Sequence, residues 1–514
     1  MVSRLFRFSF HQTIYNLAVI LVAFSLSSGS YGDAAESLLR QPPTQTSNPS
    51  CATTQRSLGS ITVCINTPSD EATVSSLITV EASLTMTGVI LRADKVIFSL
   101  NGEYLLTDFH VPYTFDLPTD HFADGDQTLS AVAVINDVLT SQPASVKLHF
   151  ANNNRKISET PIFTPYIPPT PPPGQPLIIA AAGDGASGEN PGVTDLIASW
   201  HPEMLLYLGD VYEKGTFTEF YNWYGTDTSY WGQFRAITNP TIGNHEYENG
   251  VAPGYFTYWN NIADYYSFDA GGWHFISLNS NLSKQTEPGD PQYEWLVQDL
   301  NTSRAYCTIA FFHHPRFSIG SQGDTPRLES IWSLMVRRGV DIVLTGHDHN
   351  YQRWEPIGAQ GQPNSEGITE FVTGGGGHGI RPFVRSDSRV VKDFDSADET
   401  FGALRLELYN NRAVFQYQNM AGNVIDSGEV PCHDAPESAA DFYVAGSVYA
   451  NVRVCPNTQC SRVTNVAPGT EVTVTGEVSG QSVLGSTIWY EVLVGSVNGY
   501  MHSSTLTPVI SNTG

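Results

Sequence analysis

The chain has 514 residues, 41% of them hydrophobic and 15% charged, with 26 Lys plus Arg against 51 Asp plus Glu for a formal net charge of −25. Such a length exceeds one ordinary core and predicts about two to four domains. The acidity and the want of a basic stripe exclude nucleic-acid backbone binding as an expectation, while a small phosphorylated molecule stays compatible if cations supply local positive potential.

Residues 1–32 read as an export signal, with Arg4, Arg7 and His11 ahead of an apolar core at 17–26 and small residues suited to cleavage before Asp33. That core is shorter than the about 20 apolar residues of a spanning helix, so no membrane span is expected in the mature chain. Residues 33–48, with Pro42 and Pro43 amid Ser, Thr and Gln, read as a linker. Residues 49–155 alternate in hydropathy, with strands predicted at 77–84, 95–100 and 129–134 and a hairpin signal at Asn101-Gly102. They form a small β-sandwich that resembles the immunoglobulin-like modules of secreted bacterial enzymes. It has no catalytic cluster and is expected to act as a spacer or a partner surface, leaving 177–432 self-sufficient. Residues 156–176, with Pro161, Pro165, Pro168, Pro169, Pro171, Pro172, Pro173 and Pro176, predict an extended, semi-rigid connection.

The stretch 177–432 opens on short apolar segments at 177–182, 204–208, 306–312 and 340–345, each suited to a strand buried between helices. Helical periodicity at 292–300 and 327–337 and paired strands at 404–408 and 413–417 complete a catalytic α/β sandwich of two mixed sheets flanked by helices. Residues 438–510 return to short strands around Gly-rich turns. With Asn451-Val452-Arg453-Val454 and Trp489-Tyr490 they resemble bacterial SH3-like modules, which often hold cell-wall or surface ligands; a purely structural C-terminal cap is the alternative. The fold class is therefore multidomain, with small all-β domains at both ends.

Polar residues gather at the ends of the apolar segments: Gly183-Asp184-Gly185, Gly209-Asp210-Val211-Tyr212, Gly243-Asn244-His245-Glu246, His313-His314-Pro315 and Gly346-His347-Asp348-His349-Asn350. Open sheets place their chemistry where strand ends meet loops. Any one of these pieces alone is a tight turn; all five in order predict a site. Mixed oxygen and imidazole donors suit Zn, Fe or Mn rather than calcium. Two aspartates, one asparagine and three histidines suffice for two ions if one aspartate is shared, and two ions can clamp a displacement at phosphorus.

Six cysteines remain after the leader, an even number that favours disulfides in an exported chain. Cys51 with Cys64 and Cys455 with Cys460 are local pairs, which leaves Cys307 with Cys432; free thiols are the alternative.

On these motifs, and on Tyr255-Phe256 with Trp259, residues 273–279 and the four glycines within 371–377, residues 176–432 resemble the calcineurin-like metallophosphoesterases, in their secreted purple-acid-phosphatase-like branch. The resemblance implies a first metal held by Asp184, Asp210 and His349, and a second held by Asp210, Asn244, His313 and His347. The ions would be two divalent or mixed-valence cations (Zn, Fe or Mn), with a bridging hydroxide as nucleophile. It further implies Asp210 and His245 as catalytic residues, Asn244, His245 and His314 as substrate contacts, and Glu246 and Asp348 as acceptors that orient imidazoles. The purple enzymes carry a tyrosine three residues after the bridging aspartate. Here that position is Glu213, with Tyr212 one residue early, so the first metal is expected to be one protein ligand short on that side and an iron-loaded site to lack tyrosinate colour; water, Glu213 or an inward Tyr212 are the alternatives for that place. The function implied is a secreted, extracellular or cell-wall-associated phosphomonoesterase acting on a small substrate. The alternatives are a phosphodiesterase or nucleotide-directed hydrolase of the same fold, and a surface binding protein on a degenerate phosphatase fold.

Overall fold

A computed structural model of the chain describes residues 49–508 apart from 58, 89–92, 136–138, 154–162, 189–191, 283, 396–399, 434–441, 445–448 and 495–496. The expected leader and the linker at 33–48 lie outside the described residues. Among the described residues no helix is long and apolar enough to cross a membrane.

The N-terminal module is a two-sheet β-sandwich. One sheet runs Ser50–Arg56, Gly59–Thr67, Leu77–Gly88 and Tyr113–Pro118; the other carries Ala72–Val74, Ala144–Phe150, Gly125–Ile135, Ala93–Leu100 and Glu103–Asp108 in that spatial order. The inward set of the alternating strands, including Val63, Val80, Phe98 and Phe150, is fully buried. Asn101 (φ 53°) and Gly102 (φ 86°) both adopt left-handed backbone, the conformation a two-residue hairpin turn needs.

The central domain has two mixed sheets. We number its strands β1 (Leu177–Ala182), β2 (Met204–Tyr207), β3 (Thr238–Pro240), β4 (Tyr266–Ala270), β5 (Trp273–Ser277), β6 (Cys307–Phe311), β7 (Ile342–Thr345), β8 (Tyr351–Trp354), β9 (Thr369–Thr373), β10 (Val390–Phe394), β11 (Gly402–Tyr409), β12 (Arg412–Asn419) and β13 (Val424–Pro431). The spatial orders are β3-β2-β1-β11-β12-β13 and β4-β5-β6-β7-β9-β8-β10. Strands β1–β3 pair in parallel, as do β5, β6, β7 and β9. Leu177, Ile179, Leu404 and Phe415 of the first sheet share one core with Phe275, Ile309, Leu344 and Phe371 of the second, so the sheets pack face to face. Helices α1 (Pro291–Thr302) and α2 (Glu329–Arg337) bury Leu296, Ile331, Trp332 and Met335 against the outer face of the second sheet. Cys307, at the head of β6, is disulfide-bonded to Cys432, just past β13, tying the two sheets together; Cys51–Cys64 and Cys455–Cys460 are the other bonds.

The sandwich module is not a free spacer. The loop after β2 leads into a short helix, Phe217–Glu219, whose Thr216 caps it with a capping box. That helix docks on the module. Tyr104 donates its hydroxyl to Glu219 Oε1 at 2.6 Å, Thr216 Oγ1 donates to the Leu105 carbonyl, and Asn222 brackets Asp116 with a bond each way at 2.8 and 2.9 Å. His121 stacks on Phe217 at 3.9 Å between ring centroids. Glu219 is wholly buried, and its carboxylate also accepts from the backbone amides of Glu213, Lys214 and Thr216. Burial still pushes its pKa up to about 7 against these donors; a buried carboxylate that lost one would cost about 1–3 kcal/mol.

The proline-rich connection is laid along the central domain rather than hanging free. Phe163 donates its N–H to the Asn260 carbonyl at 2.8 Å, and Tyr166 exchanges two hydrogen bonds with the side-chain amide of Asn239 on β3. The C-terminal module, Phe442–Val444 through Leu506–Pro508, is a seven-stranded sheet around Val452, Val472, Val492 and Met501. The structure thus has the expected multidomain plan.

Candidate metal centre

The loops after β1, β2, β3, β6 and β7 converge, and five glycine-marked or histidine pairs place their donors there. Asp184, Asp210 and His347 all adopt left-handed backbone (φ 61°, 66° and 69°), uncommon for residues with side chains and found where a site over-determines the local fold. Their glycine neighbours make the room. A Cβ on Gly243 would lie 2.1 Å from Asp210 Oδ1, and one on Gly346 would lie 2.5 Å from Asp184 Oδ2.

Two groups of donors form around Asp210, which is 1% exposed. On one side His313 Nε2 lies 3.2 Å from Asp210 Oδ2, 2.9 Å from Asn244 Oδ1 and 3.1 Å from His347 Nδ1. Asp210, His313 and His347 by themselves make a three-ligand cluster within 4.8 Å. On the other side the Tyr212 hydroxyl lies 2.9 Å from Asp184 Oδ1, 3.2 Å from Asp210 Oδ2 and 2.9 Å from His349 Nε2. One ring N–H, or one hydroxyl hydrogen, can satisfy only one of three such neighbours. Lone pairs therefore outnumber protons in both groups, which is the donor chemistry of a cation site. The residues present fit a metal centre.

Electrostatics point the same way at two of the three rings. Burial lowers the His347 imidazole to about 3 and the His349 imidazole to about 4, helped by the His313 charge at the first and by Arg381 at the second. Both rings are thus neutral and offer lone pairs. Burial also opposes a charged His313, but the Asp210 and Asp184 carboxylates overcome it and raise that ring to about 10. For Asp210, burial favours the neutral acid; His313 and His245 outweigh it and keep the carboxylate ionised.

The imidazoles are aimed by main-chain carbonyls. His313 Nδ1 contacts Leu208 O at 2.8 Å, His349 Nδ1 contacts Gly379 O at 2.7 Å, and His245 Nδ1 contacts Glu213 O at 2.7 Å. This corrects the role expected of Glu246 and Asp348. Glu246 instead accepts from the amides of Gly243, Val211 and Asp210 and clamps two loops together. Asp348 accepts from Ser318 and from the Gln322 amide. A backbone carbonyl has no side-chain rotamer to lose on holding a ring.

Two further expectations change. The open side of the first donor group is filled by Tyr212, 1% exposed; Glu213 instead faces His378, its Oε1 3.8 Å from Nε2. His314, expected to meet substrate, is only 8% exposed; its Nδ1 contacts Ser280 Oγ and its ring packs 4.3 Å from His347. His378 and Arg381, which no metal motif marks, complete the surroundings. His378 stacks on Tyr212 at 3.7 Å, and the Arg381 amide donates to the His349 carbonyl. The run of four glycines just before His378 was the available signal for that segment.

Comparison with known proteins finds matches to each of the three modules. Residues 171–351 match the calcineurin-like phosphoesterase family, 62–131 a bacterial Ig domain and 448–507 a bacterial SH3 domain. The chain is 26% identical over 262 residues to purple acid phosphatase 21 of Arabidopsis thaliana, covering 46% of this chain and 59% of that one. It is 29% identical over 231 residues to purple acid phosphatase 15 of the same plant, covering 36% and 42%. Among solved structures, a purple acid phosphatase from yellow lupin (Lupinus luteus) seeds is similar, with 18% identity, 74% of each chain covered and a TM-score of 0.44. The chain spans about 60% of the length of the first curated relatives it matches.

Proposed function

We propose that this chain, which carries a calcineurin-like phosphoesterase domain between a bacterial Ig-like and a bacterial SH3-like module, is an exported hydrolase of small phosphomonoesters that works with two metal ions. The reading rests on one observation. Asp210 Oδ2 stands 3.2 Å from both the Tyr212 hydroxyl and His313 Nε2, so one carboxylate belongs to both donor groups. Asp184, Asp210, Tyr212 and His349 would hold one ion; Asp210, Asn244, His313 and His347 would hold the other. Two bound cations supply acidified water and positive charge toward the phosphoryl oxygens.

The chain's own residues do the remaining work. With Nδ1 committed to the Glu213 carbonyl, His245 presents Nε2 3.9 Å from Asp210 Oδ2, beside the shared carboxylate. A protonated His245 there donates to the leaving-group oxygen as the P–O bond breaks, a general-acid contribution of about 10²–10⁴-fold. Asp210 Oδ1 accepts the His245 amide at 2.9 Å, so the acid and the shared ligand move together. The disulfides and the leader-like first 32 residues support work outside the cell. A complete donor set argues against a degenerate binding protein, since decay strips ligands first.

The test is turnover of a panel of monoesters and diesters by the whole protein, before and after metal removal. Monoester turnover should vanish on stripping and return with Zn, Fe or Mn, and Asp210→Asn should lower it by at least about 100-fold. Full activity from protein shown by metal analysis to be empty would end the two-metal reading; faster diester than monoester turnover would replace the substrate class.

A further inference from the structure

The Ig-like module reaches the candidate site through a short chain of contacts. Its Tyr104 hydroxyl, also 2.9 Å from Thr107 Oγ1, donates to Glu219 Oε1 at 2.6 Å. Glu219 in turn receives the Glu213 amide at 2.6 Å, the Lys214 amide at 2.9 Å and the Thr216 amide at 3.0 Å. The Lys214 ammonium lies 4.8 Å over the Tyr104 ring, and Thr216 is bonded to the Leu105 carbonyl. Thus one buried carboxylate gathers the backbone of residues 213–216, and a tyrosine from another domain fixes that carboxylate. The Glu213 carbonyl is the group that holds His245 Nδ1.

We infer that the Ig-like module is a working part of the catalytic apparatus and that Tyr104 is a positioning residue for His245, acting through Glu219 and the Glu213 carbonyl. The inference rests on the hydrolase reading above, in which His245 protonates the leaving group. A general acid misplaced by a fraction of an ångström loses much of its benefit, while metal binding and ground-state contacts stay as they were. The loss therefore falls on esters that need protonation to leave.

The experiment uses the full chain, metal-loaded, with two monoesters: 4-nitrophenyl phosphate, whose leaving group departs as an anion, and glycerol phosphate, whose alkoxide does not. The readout is the ratio of the two kcat values, which a lower folded fraction leaves unchanged. Tyr104→Phe should lower kcat for glycerol phosphate by about ten-fold, with kcat for the nitrophenyl ester and both KM values within about two-fold of wild type. In a His245→Ala background the same substitution should leave the ratio unmoved. An unchanged ratio in Tyr104→Phe, or the same fall with and without His245, would overturn the inference while the hydrolase reading stands. A wild-type protein that cleaves neither ester would overturn both.

Discussion

Tyr212 shows how a single residue can settle the character of a site. Counting three positions from Asp210 lands on Glu213, and from the sequence the first donor group looks one ligand short. In the structure the phenol two positions on touches Asp184, Asp210 and His349 together. Burial, with the Asp184 and Asp210 charges behind it, raises the phenol far above its ordinary range, so a cation is needed to make it a phenolate. Protein loaded with ferric iron should accordingly be coloured by tyrosinate-to-iron charge transfer, and Tyr212→Phe should bleach the band while iron is retained. Visible spectra with parallel iron analysis check this; an iron-loaded, colourless wild type would return Tyr212 to a bystander. The remaining candidate ligands were legible because they follow a glycine or a strand end in a recognisable order, with His349 two positions after His347. The carbonyls of Leu208, Gly379 and Glu213 that aim the rings were not, because a main-chain acceptor leaves no mark on residue type.

At the level of elements, six of the thirteen strands named in the two sheets could be read from apolar or alternating runs, and their observed ends differ by a residue or two. What the sequence did not disclose is how neighbouring elements are tied. His274 on β5 is one such tie, with Nδ1 2.7 Å from Asp269 on β4 and Nε2 2.8 Å from Asp299 on α1. Burial disfavours its charge, but the two carboxylates prevail and lift its pKa above the ordinary 6.5. A group raised in the folded state adds stability that is complete below its unfolded pKa and fades as pH climbs through the folded value. Melting temperature should therefore decline from about pH 6.5 upward, and His274→Gln should flatten that part of the curve. Identical slopes in melting curves taken from pH 5 to pH 9 would remove His274 as the source.

For the whole molecule, sequence marked off the modules through shifts in composition, and the disulfide between Cys307 and Cys432 followed from local pairing of the others. The association of the modules did not. Tyr104 and Glu219 are 115 positions apart and neither belongs to a motif. The proline-rich stretch likewise reads as a plain connector until Tyr166 is seen paired with Asn239. That pairing has a consequence for solution behaviour. Strand β3 ends the first sheet, and an unguarded sheet edge is a template for another chain. The connector lies against that strand, its Tyr166 backbone paired with the Asn239 side-chain amide as if in a ladder, and is expected to work as a selvedge that keeps the weave from joining its neighbour. A polypeptide begun at Leu177 should self-associate more readily than one begun at Phe163, and light scattering at matched concentration will tell them apart. Equal monodispersity of the two would mean that Pro240 and the shortness of β3 already suffice to blunt the edge.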